Sequence, residues 1–237
     1  MHACIKARGP NAPSFGLTPA AGSAGLALDI HITPETVMDA KPAKYAPKHP
    51  GDIADLVTHY PFGWIVGGGA TALPFRPILD DTGALVGLHG HFARSNPQLA
   101  ALQAQPEALI LILGPHGYIS PSWMNDRTQA PTWNYAGAAF RCSLRFIDDP
   151  AETLALLGDL IGAMEAGRPQ AWSLAEMGPR AQSLSRGIVA FKAEILDRQA
   201  AFKMGQDERD DVYGDILRGL TDSALIAAMQ RQNPGRD

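Results

Sequence analysis

The most regular pattern in the chain lies between Ala138 and Phe146, where Ala138, Phe140, Cys142, Leu144 and Phe146 alternate with Ala139, Arg141, Ser143 and Arg145. A period of two predicts a strand with one dry and one wet face. Val189, Phe191, Ala193 and Ile195 repeat that period and predict another strand over 188–196. Residues 108–113 form a continuous apolar run bounded by Gly114-Pro115. The run is too short for a typical helix and predicts a strand buried on both faces at the centre of a sheet. Phe62–Val66, rich in aromatic and β-branched residues, predicts a strand, as do 71–79 and 84–92 around the turn residues Asp80-Asp81-Thr82-Gly83.

Helical spacing appears in fewer places. Ile53, Leu56 and Val57 share one face of a short helix that Tyr60-Pro61 ends. Asp149 as N-cap and Pro150 at the first position open a helix whose stripe is Leu154, Leu157, Ile161 and Met164, closed by Gly167 and Pro169. Residues 208–219 and 222–231 also read as helices. This order of closely spaced strands, one helix, another strand and terminal helices lacks the alternation of a doubly wound fold. It predicts a mainly β protein with peripheral helices, an antiparallel barrel. Residues 1–43, rich in Ala, Gly and Pro without a sustained hydrophobic period, read as a poorly ordered N-terminal extension. Residues 44–237 then form a single domain with C-terminal helices.

Composition narrows the picture. A chain of 237 residues, 46% of them hydrophobic, can bury one substantial core, and its 24 glycines and 19 prolines favour a turn-rich architecture over a helical bundle. With 20 basic against 24 acidic residues the net charge is −4, so no overall field draws the molecule to nucleic acid or anionic lipid. No apolar run approaches the length of a membrane-crossing helix. Cys4 and Cys142 are too isolated for a disulfide framework or a zinc site, which points to a reducing cytoplasm.

Two segments carry candidate chemistry. In the first, His89 to Gln98, a strand ends near Ala93, Asn96 suits an N-cap and Pro97 the first helical turn, with Arg94 and Ser95 beside them. Free N–H groups at a helix start next to Arg94 and Ser95 are the parts of a phosphate site; Asn96 as a plain cap and Arg94 as a solvated side chain is the structural alternative. His89 and His91 share a strand face, but no acidic or Cys partner with ligand spacing accompanies them, so no metal is expected. Gly67–Gly69 lacks the ending of a phosphate loop and reads as a turn. In the second segment, Gly114 to Tyr135, Tyr118, Trp123, Trp133 and Tyr135 sit among prolines. These planar surfaces suit either a flat heteroaromatic ligand or an aromatic mini-core under a loop.

Together these segments resemble the PaiB family of FMN-binding negative transcriptional regulators, in the FMN-binding split-barrel superfamily with pyridoxamine phosphate oxidases and flavin reductases. The resemblance rests on Tyr45-Ala-Pro-Lys48, Thr71-Ala-Leu-Pro74, Gly90-His-Phe-Ala-Arg-Ser-Asn-Pro-Gln98, Gly114-Pro-His-Gly-Tyr-Ile-Ser-Pro-Ser-Trp123, Pro131-Thr-Trp-Asn-Tyr135, Gly187-Ile-Val-Ala-Phe-Lys192 and Gln199–Gln206. It implies a split β-barrel homodimer holding FMN near the interface. Arg94, Ser95 and Asn96 would hold the phosphate, with Thr71, Leu73 and Pro74 bordering the isoalloxazine. His91 belongs to the same candidate set. Trp133 and Tyr135 would close the pocket from the partner subunit, with Lys203 and Gln206 as further polar contacts.

Ala72 stands where the family has a His, and Asp207-Glu208 add two carboxylates beside the late motif. The family implies a regulatory or sensory flavoprotein. The superfamily also offers an FMN-dependent oxidoreductase, for which no general acid or base is assigned and His91 and His116 are candidates, or a haem-binding barrel with an axial His. The C-terminal helical pair carries Glu208, Asp210, Asp211, Asp215 and Asp222, which argues against direct DNA reading by this chain.

Overall fold

A computed structural model describes residues 43–236. The extension expected over 1–43 lies, but for Ala43, outside them. In chain order the elements are α1 (Asp52–His59), β1 (Phe62–Val66), β2 (Ala70–Pro74), β3 (Arg76–Leu79), β4 (Leu85–Ala93), α2 (Gln98–Ala104), β5 (Glu107–Ile119), β6 (Thr132–Ile147), α3 (Pro150–Glu165), α4 (Arg180–Ser185), β7 (Ile188–Lys203), α5 (Asp210–Gly219) and α6 (Ser223–Gln232). The seven strands form one antiparallel sheet in the order β2-β1-β5-β6-β7-β4-β3. This is the mainly β architecture with peripheral helices that the hydrophobic pattern implies, curled as a split barrel.

The stretch expected as one strand over 71–79 is two, β2 and β3, at opposite edges of the sheet. A single residue, Phe75, joins them. Consecutive Cα atoms are about 3.8 Å apart, so the sheet must curl until its edges meet there. Phe75 is fully buried at that seam, its amide donating to the Pro61 carbonyl over 2.7 Å and its ring 6.4 Å from Phe191. Phe191 also contacts Phe92, at 5.3 Å, and Phe146, at 6.4 Å, so an aromatic cluster fills the barrel behind the seam.

Two bulges extend the long strands. The strand predicted over 188–196 continues to Lys203, because Leu196 bulges out of the β6–β7 ladder between the pairs Cys142–Ile195 and Arg141–Asp197. The inward set therefore changes from Val189, Phe191, Ala193 and Ile195 to Ala200 and Phe202. In β5, Gly114-Pro115 does not end the strand: the ladder shifts between Leu113 and His116 and then continues to Ile119. A bulge tolerates the missing amide of Pro115, and a Cβ on Gly114 would stand 2.2 Å from Leu56 Cδ1.

The expectation that 108–113 is buried on both faces is corrected. Ala108, Ile110 and Ile112 are buried, but Leu111 and Leu113 lie on an outer sheet face left exposed among the described residues. The strand is third in the sheet, and β6 is the central one.

The predicted stripe of α3 is rotated. Asp149 caps it as expected, its carboxylate accepting from the Ala151 and Glu152 amides, but the buried residues are Thr153 and Leu160 rather than Leu154, Ile161 and Met164. A polar anchor sets the rotation: the Asp159 carboxylate accepts from His89 Nε2 at 2.9 Å and Arg76 Nε at 3.2 Å. Burial holds the His89 imidazole below its ordinary pKa of 6.5, although the Asp159 bond works in the opposite direction. A depressed base favours folding fully above pH 6.5 and loses that contribution as pH falls toward its folded-state value. His89→Gln is therefore expected to flatten the loss of stability between pH 7.0 and 5.5 by up to about 1.4 kcal/mol per pH unit, as read by urea melts. An unchanged slope would mean that His89 takes up its proton equally readily in the folded and unfolded states.

Candidate functional site

The seam brings the first candidate segment against β2. Gln98, buried under the β1–β2 turn, places Nε2 within 3.0–3.2 Å of the carbonyls of Ile65, Gly67 and Gly69. Its Oε1 accepts the Thr71 hydroxyl at 2.6 Å, and Thr71 Oγ1 accepts from Asn96 Nδ2 at 3.1 Å. Asn96 Oδ1 closes the circuit by accepting the Gln98 amide at 2.9 Å. The three glycines serve packing: a Cβ on Gly67 would meet Leu102 at 2.8 Å and one on Gly68 would meet Ala101 at 2.4 Å. The turn reading of 67–69 thus holds.

The helix start is less open than its sequence suggests. Asn96 does cap, but the amides of Gln98 and Leu99 are taken by its side chain and carbonyl, so they are not free for a ligand. Arg94 is exposed and anchored, with Nε donating to the Arg186 carbonyl at 2.8 Å and Nη2 to that of Ile188 at 2.9 Å. A guanidinium has five N–H donors, so three stay available beside the exposed Ser95 hydroxyl. That donor set fits a phosphate dianion.

The remaining members of the candidate set are dispersed. Leu73 is buried in the core and Pro74 precedes the seam. His91 points from β4 toward α3, on the opposite sheet face from the core residue Phe92, and burial lowers its pKa from 6.5. Trp133 and Tyr135 are on the outer face at the far end of β6, paired with Tyr118 and His116 of β5. Trp133 stacks on His116 at 6.4 Å and meets Tyr118 edge-on at 6.0 Å. Lys203 is next to Tyr135 and donates to Thr132 Oγ1 at 2.6 Å and the Trp133 carbonyl at 3.0 Å. Gln206 folds back on its own turn, accepting the Met204 amide and donating to the Phe202 carbonyl.

One chain therefore carries two separate half-sites. Ala72 shares a row with Trp64, Leu111 and Ala139, and Trp133 is six residues along β6 from that row. That is about 20 Å along the strand, with three strand spacings of nearly 5 Å in addition. The polar half-site at the seam and the aromatic half-site with Lys203 do not meet within one protomer. Between them the outer face exposes Phe62, Trp64, Leu111, Leu113, Tyr118 and Trp133, each 37–65% accessible. Exposed apolar side chains grouped on one sheet face are the kind of surface that accompanies interaction sites. Gln98 and this outer face are the features that sequence reasoning missed. A polar residue at a helix start beside three glycines, and an apolar strand without strict alternation, were the available signals.

Among the described residues no three His, Cys, Asp or Glu side chains converge as metal ligands, and no helix is long and apolar enough to cross a membrane. Cys142 is buried, and burial pushes its thiol up to about 12, so it is an inert core residue.

With this geometry in place, the chain can be compared with known proteins. A family model described as "Putative FMN-binding domain" matches residues 41–197. The chain is 34% identical over 134 residues to "Protease synthase and sporulation protein PAI 2" of Bacillus subtilis, covering 55% of this chain and 63% of that protein. It thus spans less than two thirds of that relative's length. Among solved structures, the conserved hypothetical protein Rv2991 of Mycobacterium tuberculosis superposes with a TM-score of 0.51 at 10% identity, over 71% of this chain and 93% of the other. A Mycobacterium smegmatis protein described as binding FAD and heme gives 0.50 at 16% identity, over 73% and 80%. These two structural likenesses bear on the fold alone.

Gln98→Leu would leave three carbonyls and the Thr71 hydroxyl without their partner. The expected result is a loss of about 3 kcal/mol in urea-induced unfolding, with an unchanged denaturant slope.

Proposed function

Because the chain belongs to the FMN-binding domain family, of PaiB type, whose model spans residues 41–197, we propose that it is a homodimeric FMN-binding flavoprotein acting as a regulator or flavin-dependent sensor. The observation that carries this reading is the split of the candidate site into two half-sites joined by an uncovered apolar face. Two copies packed through that face would set the seam of one protomer against the aromatic cluster of the other.

In this arrangement Arg94 and Ser95 bind the phosphate, and the carbonyls of Arg186 and Ile188 orient the guanidinium. Asn96 and Thr71 keep the seam closed beneath it. Leu73 and Pro74 continue the β2 border, and Trp133 and Tyr135 of the partner subunit supply a flat wall for the isoalloxazine. FMN, when bound, supplies a one- or two-electron redox centre. Lys203 adds positive charge at that wall. His91, held under α3, is the weakest member of the set.

The acidic first turn of α5, with Asp210 and Asp211, and the Asp222 cap of α6 disfavour a DNA-reading helix. Regulation is therefore assigned to a partner protein or to the redox state of the flavin, in the cytoplasm. An absorbance spectrum of the purified protein, before and after incubation with FMN and removal of unbound flavin, tests the cofactor. Retained bands near 370 and 450 nm are expected. A colourless protein would remove FMN, a Soret band would replace it with haem, and bleaching by NAD(P)H would move the assignment to an oxidoreductase.

Arg94→Ala is expected to weaken FMN binding by at least about tenfold while lowering folding stability by only about 1 kcal/mol. Unchanged affinity would take Arg94 out of the phosphate role. Trp64→Asp buries a charge in the proposed interface and is expected to shift the protein from dimer to monomer in sedimentation at micromolar concentration, with FMN retention falling in parallel.

A further inference from the structure

A second cavity lies on the other side of the sheet from the aromatic half-site. It is a cleft of about 290 Å³ between α1 and α6, floored by Leu56, Pro115, Ala136 and Phe202. We propose that this cleft binds a compact organic cation, an amine carrying a small apolar group.

The cleft exists because α6 turns two different faces to its neighbours. Leu225, Met229 and Gln232 are buried against the barrel, whereas Ala224, Ala227 and Ala228 face the cleft and stop at Cβ. The helix cannot close onto the floor, since its spacing from α1 is set by a buried polar clamp. Asp52 accepts from Arg231 Nε at 2.7 Å, from Gln232 Nε2 at 2.7 Å and from the His49 amide at 2.9 Å. Arg231 also donates from Nη2 to Asp55 at 2.8 Å. The space left between the clamp and the floor is therefore built into the packing. Its volume is at the lower end for small-ligand sites.

The rim selects the charge. Arg231 is the one Lys or Arg lining the cleft among the described residues, and two carboxylates already hold it. Asp55 keeps Oδ1 without a hydrogen-bond partner among the described residues. His59 Nδ1 donates to the Asp55 carbonyl at 2.8 Å, leaving Nε2 as an acceptor in the neutral ring. The Tyr60 hydroxyl adds a further acceptor at the mouth. Burial raises the Tyr60 pKa, and the negative charge of Asp222 at the α6 N-terminus raises it further, so this end of the cleft lies in a negative field. Three acceptors over an apolar floor, with Arg231 paired to two carboxylates, match an ammonium group and its apolar substituent. A carboxylate ligand would be repelled by Asp55, and the charge of Arg231 is already balanced by its ion pairs with Asp52 and Asp55.

The test uses the full chain, labelled with ¹⁵N, titrated with benzylamine, benzyl alcohol and benzoate at pH 7.5. Benzylamine is expected to cause saturable shifts at the amides of Tyr60, Ala224 and Ala228, with affinity at least about tenfold above the other two probes. Ala228→Leu fills the cleft and is expected to abolish those shifts, and Asp55→Asn to weaken binding by about tenfold. Equal affinity for benzyl alcohol, shifts that do not saturate, or binding that survives Ala228→Leu in a folded protein would overturn the proposal. If Ala228→Leu does not fold, Asp55→Asn decides: a variant with an unchanged thermal midpoint and unchanged benzylamine affinity rejects it.

Discussion

The structure depends on one residue of chain between two sheet edges. β2 and β3 are consecutive in sequence and lie at opposite ends of the strand order, so Phe75 alone must span from one edge to the other. A flat seven-stranded sheet would separate its edges by about 28 Å, at nearly 5 Å per strand spacing, which a single residue cannot bridge. Curling is therefore compulsory once these seven strands pair, and the buried ring of Phe75 makes the closed state favourable as well as necessary. Everything at the seam follows from it. Closure brings the end of β4 and the start of α2 to the β1–β2 turn, where the Gln98 carboxamide donates to the carbonyls of Ile65, Gly67 and Gly69 and ties the turn to α2. Arg94 reaches its position beside that tie because β4 leads into it.

Closure also explains why the sheet has one satisfied face and one unsatisfied face. The inner residues of β5, β6 and β7 fill the barrel, so the outer residues of the same strands can be covered only by another element. α3 covers the β4 end through His89, Thr153 and Leu160, and among the described residues no element reaches Trp64, Leu111 or Leu113. Burial of apolar area at roughly 25 cal/mol per Å² makes that face the strongest driving force for association left on the molecule. In the proposed dimer the same contact that hides it also completes the flavin site. Cofactor binding and assembly would then be thermodynamically linked, since each stabilises the other.

Much of this fold is legible in the residues. The alternation in 138–146, the cap at Asp149 and the turn at Asp80–Gly83 are local signals, and local chemistry decides them. The failures all come from tertiary context. A bulge at Leu196 inverts the inward set, so a period-two reading ends at the point where the strand changes parity. The run 108–113 looks covered on both faces because its outer residues are apolar, and the sequence does not say whether the cover is the same chain or another. The stripe of α3 is misread because the contact of Asp159 with His89, 70 residues away in sequence, outweighs the hydrophobicity of Ile161 and Met164. In the candidate site, Asn96 and Arg94 were visible as polar residues at a helix start, but the direction of their hydrogen bonds depends on Gln98, Arg186 and Ile188.

The two departures from the PaiB pattern can be weighed in the same physical terms. Asp207 lies beyond the end of β7, at the aromatic half-site's end of the chain, and its carboxylate accepts from the Lys44 ammonium and the Tyr45 hydroxyl, each at 2.7 Å. Burial works to raise its pKa, yet these bonds outweigh it and hold the group below the ordinary range. Lys44 and Asp207 sum to zero charge, so of the two added carboxylates Asp207 ties the segment before α1 to the strand end without adding a field that would repel an anion at Arg94. Ala72 faces outward opposite Trp64, on the apolar side of β2. A His there would place a polar ring in that surface, whereas Ala leaves the indole uncovered and extends the apolar face to the sheet edge. Both departures act on the surfaces through which a second protomer would approach, and neither removes a donor from the corner formed by Arg94 and Ser95.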